Sequence, residues 1–166
     1  MISDNPVGYL KLKVELKPQD RLLKAPVYLF PVNILERGLL SGIRLTRVTA
    51  MTDAANGRVS VVPEEAEVFM PEVEPEAQEL ARRFSLREAR MAAEELAVPE
   101  ETRGWKRGFR TSTLLFREEE FRFVWRLYII RGPLLIDTFT GEESEAAALI
   151  SLLFGQSQNE GRPAEL

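Results

Sequence analysis

Two aspartates recur in the same setting, Asp53-Ala-Ala-Asn-Gly57 and Asp137-Thr-Phe-Thr-Gly141. A pair of carboxylates is the smallest set that supports general acid–base chemistry, one holding a proton while the other accepts one. The same spacing also has a local meaning. Asp folds its carboxylate back onto nearby backbone N–H groups, and Gly supplies the positive φ of a tight turn. The local meaning is the simpler one. Asp53, Gly57, Asp137 and Gly141 are therefore expected to be structural turns, and no catalytic residue is assigned.

The remaining chemical repertoire is narrow. The 166 residues include no histidine and no cysteine. Histidine is the usual acid–base group near neutral pH and the commonest metal ligand. Without either residue, Ser-His-Asp and Cys-His catalysis, thiol nucleophiles, disulfides and zinc-cysteine sites are excluded within this chain. No Asp-x-Asp-x-Asp calcium loop and no glycine-rich phosphate loop is present. The expectation is no cofactor and no metal.

A basic stretch is the other candidate. Arg103 to Arg131 carries eight basic residues against Glu118, Glu119 and Glu120, in a chain whose net charge is −4. Arg103, Trp105, Arg107, Arg122, Arg126 and Tyr128 interleave arginines with aromatics, a pattern that can hold backbone phosphates and stack bases. The plainer reading makes Arg122 and Arg126 the wet face of an amphipathic strand.

The elements that must position these residues are mostly strands. Phe121 to Ile130 alternates, with Phe121, Phe123, Trp125, Leu127 and Ile129 on one face and Arg122, Val124, Arg126, Tyr128 and Ile130 on the other. Tyr9–Lys17 alternates likewise, and Val27–Leu35 is a strand in which Pro31 implies an edge or a bulge. Ile43–Thr52 and Phe109–Arg117 add two more. Residues 63–75 are Glu- and Pro-rich and predict an extended acidic connector. Residues 76–97 predict helix, either continuous or split in two near Phe84-Ser85, where Ser85 and Glu88 have the form of a capping box. Residues 142–154 predict a last helix, and 156–166 a flexible tail.

The two aspartate corners each end a pair of apolar strands, which suggests one unit written twice. The predicted fold is α+β: an antiparallel sheet built from two β-β-β-α units, its helices packed on one face. The whole is expected as a single domain over 1–155, with pseudo-repeats at 7–97 and 109–154.

Ser85-Leu-Arg-Glu-Ala-Arg-Met-Ala-Ala-Glu-Glu-Leu96, followed by Trp125-Arg-Leu-Tyr-Ile-Ile130 and Ile136-Asp-Thr-Phe-Thr-Gly141, resembles the PepSY domain. The resemblance covers about residues 76–145, with a partial echo in 27–62. Members of that family are mostly secreted or membrane-attached and are linked to peptidase propeptides and inhibition. The resemblance implies a non-catalytic binding module and supplies no catalytic residue.

No apolar run approaches the ~18 residues of a membrane-spanning helix, and the amino terminus shows no secretory pattern. The sequence thus predicts a non-enzymatic cytoplasmic protein that binds a protein partner or itself. Nucleic-acid binding through the 103–131 stripe stands as one alternative, and small-molecule binding or a carboxylate-based enzyme as another.

Overall fold

The computed structural model describes residues 2–38, 42–63, 65–96 and 110–147. Its elements, in order, are β1 (Tyr9–Leu10), β2 (Arg21–Gly38), β3 (Gly42–Asp53), β4 (Val59–Val62), β5 (Val68–Phe69), β6 (Gln78–Glu79), α1 (Leu86–Leu96), β7 (Arg110–Phe116), a 3-10 turn (Glu118–Glu120), β8 (Arg122–Arg131), β9 (Leu134–Asp137) and β10 (Glu143–Glu145). All the strands join one sheet, whose main path runs β10-β9-β8-β2-β3-β4.

The spine is β2, 18 residues long. One edge pairs along its length with β3, from Val27↔Asp53 to Gly38↔Gly42. The other edge is shared. Arg21–Leu29 pairs with β8, and Val32–Gly38 pairs with β7. Pro31 stands at the handover. Its carbonyl accepts from Arg117 N–H at 2.9 Å. The N–H and C=O of a strand residue point the same way, so the donor that proline lacks would have faced the gap between β7 and β8. The predicted awkwardness of Pro31 is thus resolved in an interior strand, at a place where its missing N–H breaks no ladder.

The hairpins on either side of β2 and β8 share one register. Thr52 pairs with Val59 across β3 and β4, and Ile136 with Glu143 across β9 and β10. Both pairs differ by 84 positions, which is also the separation of Asp53 and Asp137 (137 − 53). Val27 pairs with Asp53 as Tyr128 pairs with Asp137. The antiparallel β2·β8 contact thus carries a meander on each flank.

The expected α+β class is overturned. The described residues are mostly β, with 49% strand against 12% helical, and their large sheet is mixed. Among the described residues one α-helix stands where two units were expected to bring helices to one face. Two local events account for this. First, residues 76–85 are recruited as chain rather than helix. Gln78 and Glu79 pair in parallel with Leu23 and Lys24, and Leu80 N–H donates to the Lys24 carbonyl at 2.9 Å. Arg83 and Phe84 then both donate to the Ala54 carbonyl. The helix begins only after Ser85, whose Oγ accepts from Glu88 N–H at 3.2 Å. Second, Glu143–Glu145 pairs with Leu134–Ile136 as a strand. Tertiary pairing overrides the expected helix over 143–145, while 146–147 are helical. Residues 148–154 of that expectation, and the tail at 156–166, lie outside the described residues.

Tyr9–Lys17 is also shorter as a strand than its alternation predicts. Only Tyr9 and Leu10 pair, held between β5 and β8. After them Lys13 N–H donates to the Thr138 carbonyl at 2.6 Å.

The core has two sides. Under α1, Tyr28, Phe30, Val32, Ile34 and Phe123 meet Ala89 and Ala93. The alanines let the helix lie close, and Thr52 Oγ1 donates to the Ala89 carbonyl at 3.0 Å. Tyr28 stacks on Phe123 with centroids 4.2 Å apart, and Phe30 meets Phe121 edge to face at 4.8 Å. Phe30 is fully buried; truncating such a ring typically costs about 3–5 kcal/mol. On the opposite face Leu10, Val27, Leu29, Met51 and Val124 pack with Ala66, Val68 and Phe139. No helix among the described residues is long and apolar enough to cross a membrane.

Candidate functional site

The two aspartate corners come together at one cleft. It has a volume of about 310 Å³ and is lined from the first hairpin by Met51, Asp53, Asn56, Arg58, Val59 and Ser60. From the second it is lined by Leu135, Asp137, Glu142, Glu143 and Ser144, with Val27, Arg126 and Tyr128 on the floor. Most of these form equivalent pairs under the shared register: Asp53 with Asp137, Val59 with Glu143, Ser60 with Ser144, Val27 with Tyr128.

Each corner is built in the same way. Asp53 Oδ1 accepts from Ala55 N–H at 2.8 Å and from Asn56 N–H at 3.3 Å. Asp137 Oδ1 accepts from Phe139 N–H at 2.9 Å. Gly57 N–H and Gly141 N–H donate to the carbonyls of Asp53 and Asp137 at 2.8 and 2.7 Å. Gly57 and Gly141 both have positive φ, +76° and +79°. The local chemistry of Asp-x-x-x-Gly is enough to fold both turns.

The symmetry fails in electrostatics. Arg126 is largely buried, and its Nε and Nη2 form a two-pronged ion pair with Asp137. This is the strong fork geometry of guanidinium and carboxylate. The residue across the strand pair from Arg126 is Ala25, so Asp53 has no forked guanidinium of its own. Burial pushes the Asp53 carboxyl above its ordinary range; its two turn N–H groups and the Arg126 charge pull the other way. Arg126 is itself raised: burial lowers it, but the electrostatics of Tyr128 and Asp137 and the Asp137 hydrogen bond outweigh that. Tyr128 is 6% exposed, and burial drives its hydroxyl up.

The predicted basic stripe divides. Arg122 is exposed at the start of β8, beside Glu119 and Glu120. Arg126 and Tyr128 lie inside the cleft, the first held by Asp137, so neither offers a face to a nucleic-acid backbone. Arg103, Trp105 and Arg107 lie outside the described residues. The acid–base reading of the two aspartates meets a comparable obstacle, because Asp137 is bound by a guanidinium rather than poised as a base. Among the described residues no cluster of three or more carboxylates could hold a metal ion.

Sequence reading missed a second assembly of charge. Lys24 is 5% exposed, yet it points at three partners. Its Nζ lies 3.2 Å from Glu79, 3.5 Å from Glu74 and 3.3 Å from the Tyr9 hydroxyl. The Tyr9 hydroxyl in turn donates to Glu74. The ring of Trp125 lies 4.4 Å away, within cation–π range. Glu74 and Glu79 flank the end of the acidic connector, so Lys24 is the clasp that holds it to the sheet. The signal for it was a single lysine inside an otherwise apolar run, Leu22-Leu23-Lys24-Ala25.

The connector covers the cleft-side face of β2 only part of the way. Ala66 and Val68 pack over Leu29, and Glu65 and Glu67 line one cavity with Pro31. Beyond Pro31 the β2, β3 and β7 strands continue as a three-stranded arm. Leu35 pairs with Leu45, Arg37 with Ile43 and Asn33 with Leu115, and paired residues share a face. Ile43, Leu45 and Leu115 are 62%, 53% and 49% exposed. Since β4 meets β3 only at Thr49–Thr52, the outer edge of β3 from Ile43 to Val48 has no strand beside it among the described residues.

No family model, no curated protein and no solved structure matches this chain, so the geometry itself carries the functional argument.

Proposed function

We propose that this chain is a non-enzymatic assembly module that associates with a second copy of itself through the β2–β3–β7 arm. The observation that carries the reading is the end of the sheet, left bare by the described residues. On the cleft side, the cover supplied by the connector stops at Pro31, and Leu35, Ile43, Leu45 and Leu115 continue the apolar face without it. An open strand edge beside an apolar stripe is the geometry used in strand addition, and proteins that do not use such an edge normally guard it.

Charge supports a second copy as the occupant. The arm carries Arg37, Arg44 and Arg47 against Glu36, whereas the connector carries Glu65, Glu67, Glu72, Glu74 and Glu76. Glu65, Glu67 and Glu74 already face Arg117, Lys11 and Lys24, so an arm laid along the connector of a second copy would bring its arginines to Glu72 and Glu76, and a two-fold arrangement makes that contact twice. The chemistry also leans away from catalysis. Histidine and cysteine are absent, and Asp137 is occupied by Arg126.

Light scattering coupled to size exclusion tests the reading. A dimer at micromolar concentration is expected, with the Ile43→Glu, Leu45→Glu double variant running as a folded monomer. A wild-type chain that stays monomeric at several hundred micromolar in low salt would end it.

A further inference from the structure

The apolar stripe of the arm is bracketed by charge. On the cleft side Asn33 pairs with Arg47, Leu35 with Leu45 and Arg37 with Ile43, and paired residues share a face. The rows of Arg47 and Arg37 thus enclose Leu35 and Leu45. They lie four positions of β3 apart, about 13 Å.

The connector repeats this spacing with the opposite sign. Glu72 and Glu76 are also four positions apart, with Val73 between them and Met70 just before. Val73 is 82% exposed and Met70 67%. Among the described residues, none of Arg37, Arg47, Glu72 and Glu76 makes an ion pair. Singly exposed apolar residues are ordinary, but these two project from a segment that is pinned. Glu74 is held by Tyr9 and Lys24, and Pro71 and Pro75 restrict the backbone on either side. A segment already fixed in an extended form loses little freedom on docking. The two surfaces cannot meet within one chain. Glu74 is held at Lys24, whereas the arm begins at Asn33 of the same strand. Nine positions of strand put about 30 Å between them.

We infer that the arm receives residues 70–76 of a second copy's connector as an extended acidic peptide. Met70 and Val73 cover Leu45, Ile43 and Leu115, while Glu72 and Glu76 meet Arg47 and Arg37. The inference rests on self-association through the arm and names the segment that the arm holds. It excludes an arm paired edge to edge with another arm, which would bring like charges together.

Charge exchange between full-length chains, read by light scattering at low salt, tests it. One variant carries Glu72→Lys and Glu76→Lys, the other Arg37→Glu and Arg47→Glu. All of these positions are exposed, so neither change disturbs the core. Each variant alone is expected to be monomeric where the wild type dimerises, because its arm and connector carry the same sign. An equimolar mixture is expected to dimerise, since both contacts of the mixed pair regain opposite signs. A third variant, Met70→Ser with Val73→Ser, should weaken the dimer by about tenfold or more, the scale of one buried aliphatic side chain. If a charge variant does not fold, this third variant decides. A monomeric wild type ends the self-association reading and this one together. A wild-type dimer that survives Glu72→Lys with Glu76→Lys, a mixture that stays monomeric, or full affinity in the Met70→Ser, Val73→Ser chain would overturn this inference alone.

Discussion

Asp53 and Asp137 stand at the same position of two hairpins 84 residues apart, yet Arg126 forks onto Asp137 alone. One turn chemistry thus yields two electrostatic situations. Asp137 is a paired carboxylate, while Asp53 is a partly buried carboxylate held by two backbone N–H groups.

Opposite stability effects are expected from the same substitution at the two corners. Asp137→Asn preserves the turn acceptor but strands Arg126, whose side chain is 15% exposed. Breaking a buried pair from one side costs about 3–5 kcal/mol. Asp53→Asn removes a charge that burial disfavours, so the variant should melt higher than wild type at pH 7. The sign follows from linkage. A carboxyl raised in the folded state is favoured while protonated, and that contribution is lost as pH rises through its folded value. The Asp53→Asn advantage should therefore shrink as pH is lowered. Urea denaturation of both variants at several pH values checks the pair; a stabilised Asp137→Asn would refute it.

Glycine is needed at both corners for its backbone, but at only one for its size. A Cβ on Gly57 would meet Phe84 Cζ at 2.7 Å, whereas a Cβ on Gly141 would meet nothing within 4 Å. Gly141→Ala should cost about 1–2 kcal/mol, the left-handed penalty alone. Gly57→Ala should cost more, and Phe84→Ala should relieve the excess in the double variant. Equal losses at 57 and 141 would show that the Phe84 ring yields freely.

Lys24→Met should leave overall stability within about 1.5 kcal/mol, since the methionine is similar in volume and apolar in a packed site. The connector should nevertheless loosen, because Glu74 and Glu79 lose their shared partner. Faster cleavage after Glu72, Glu74 or Glu76 by a glutamate-specific protease is the measurement. An unchanged digestion pattern would mean that the strand pairing of Gln78 and Glu79 holds the connector by itself.

Asp20 and Arg131 close the far end of the sheet, with Nε–Oδ1 and Nη2–Oδ2 both at 3.0 Å. The Arg131 hydrogen bond, with a backbone contribution from Lys17, lowers the Asp20 carboxyl to about 2 from its usual 3.8. A lowered carboxylate stabilises the fold above its unfolded value and loses that contribution as pH falls through the folded one. The stability gap between wild type and Asp20→Asn should be constant above about pH 5 and close as pH approaches 2. A gap that does not change over this range would remove Asp20 as a contributor.

Much of the sheet was legible because strand alternation is a local signal. The faces of Phe121–Ile130 could be read directly, since every second residue is aromatic or aliphatic. The Asp-Gly corners could be read for the same reason, their hydrogen bonds spanning only five residues. What escaped was decided by partners distant in sequence. Gln78 and Glu79 carry a helical pattern but are claimed as chain by Leu23 and Lys24, and Glu143–Glu145 is claimed by β9. The cleft was invisible because nothing local to Asp53 announces Tyr128. Its floor exists only once β2 and β8 lie side by side.

The length of β2 has a consequence for how the chain is made. More than eighty residues separate the end of β2 from the start of β8. At about 5–20 residues per second, the ribosome takes roughly 4–17 s to deliver them. Once β3 has followed, and until β8 arrives, the β2–β3 hairpin is paired on one side and naked on the other, with Val27 to Leu29 awaiting their neighbours. Newborn chains on one message that meet in this window present identical bare flanks to each other, so the timing of translation, as well as the finished surface, bears on whether this protein pairs with its own kind.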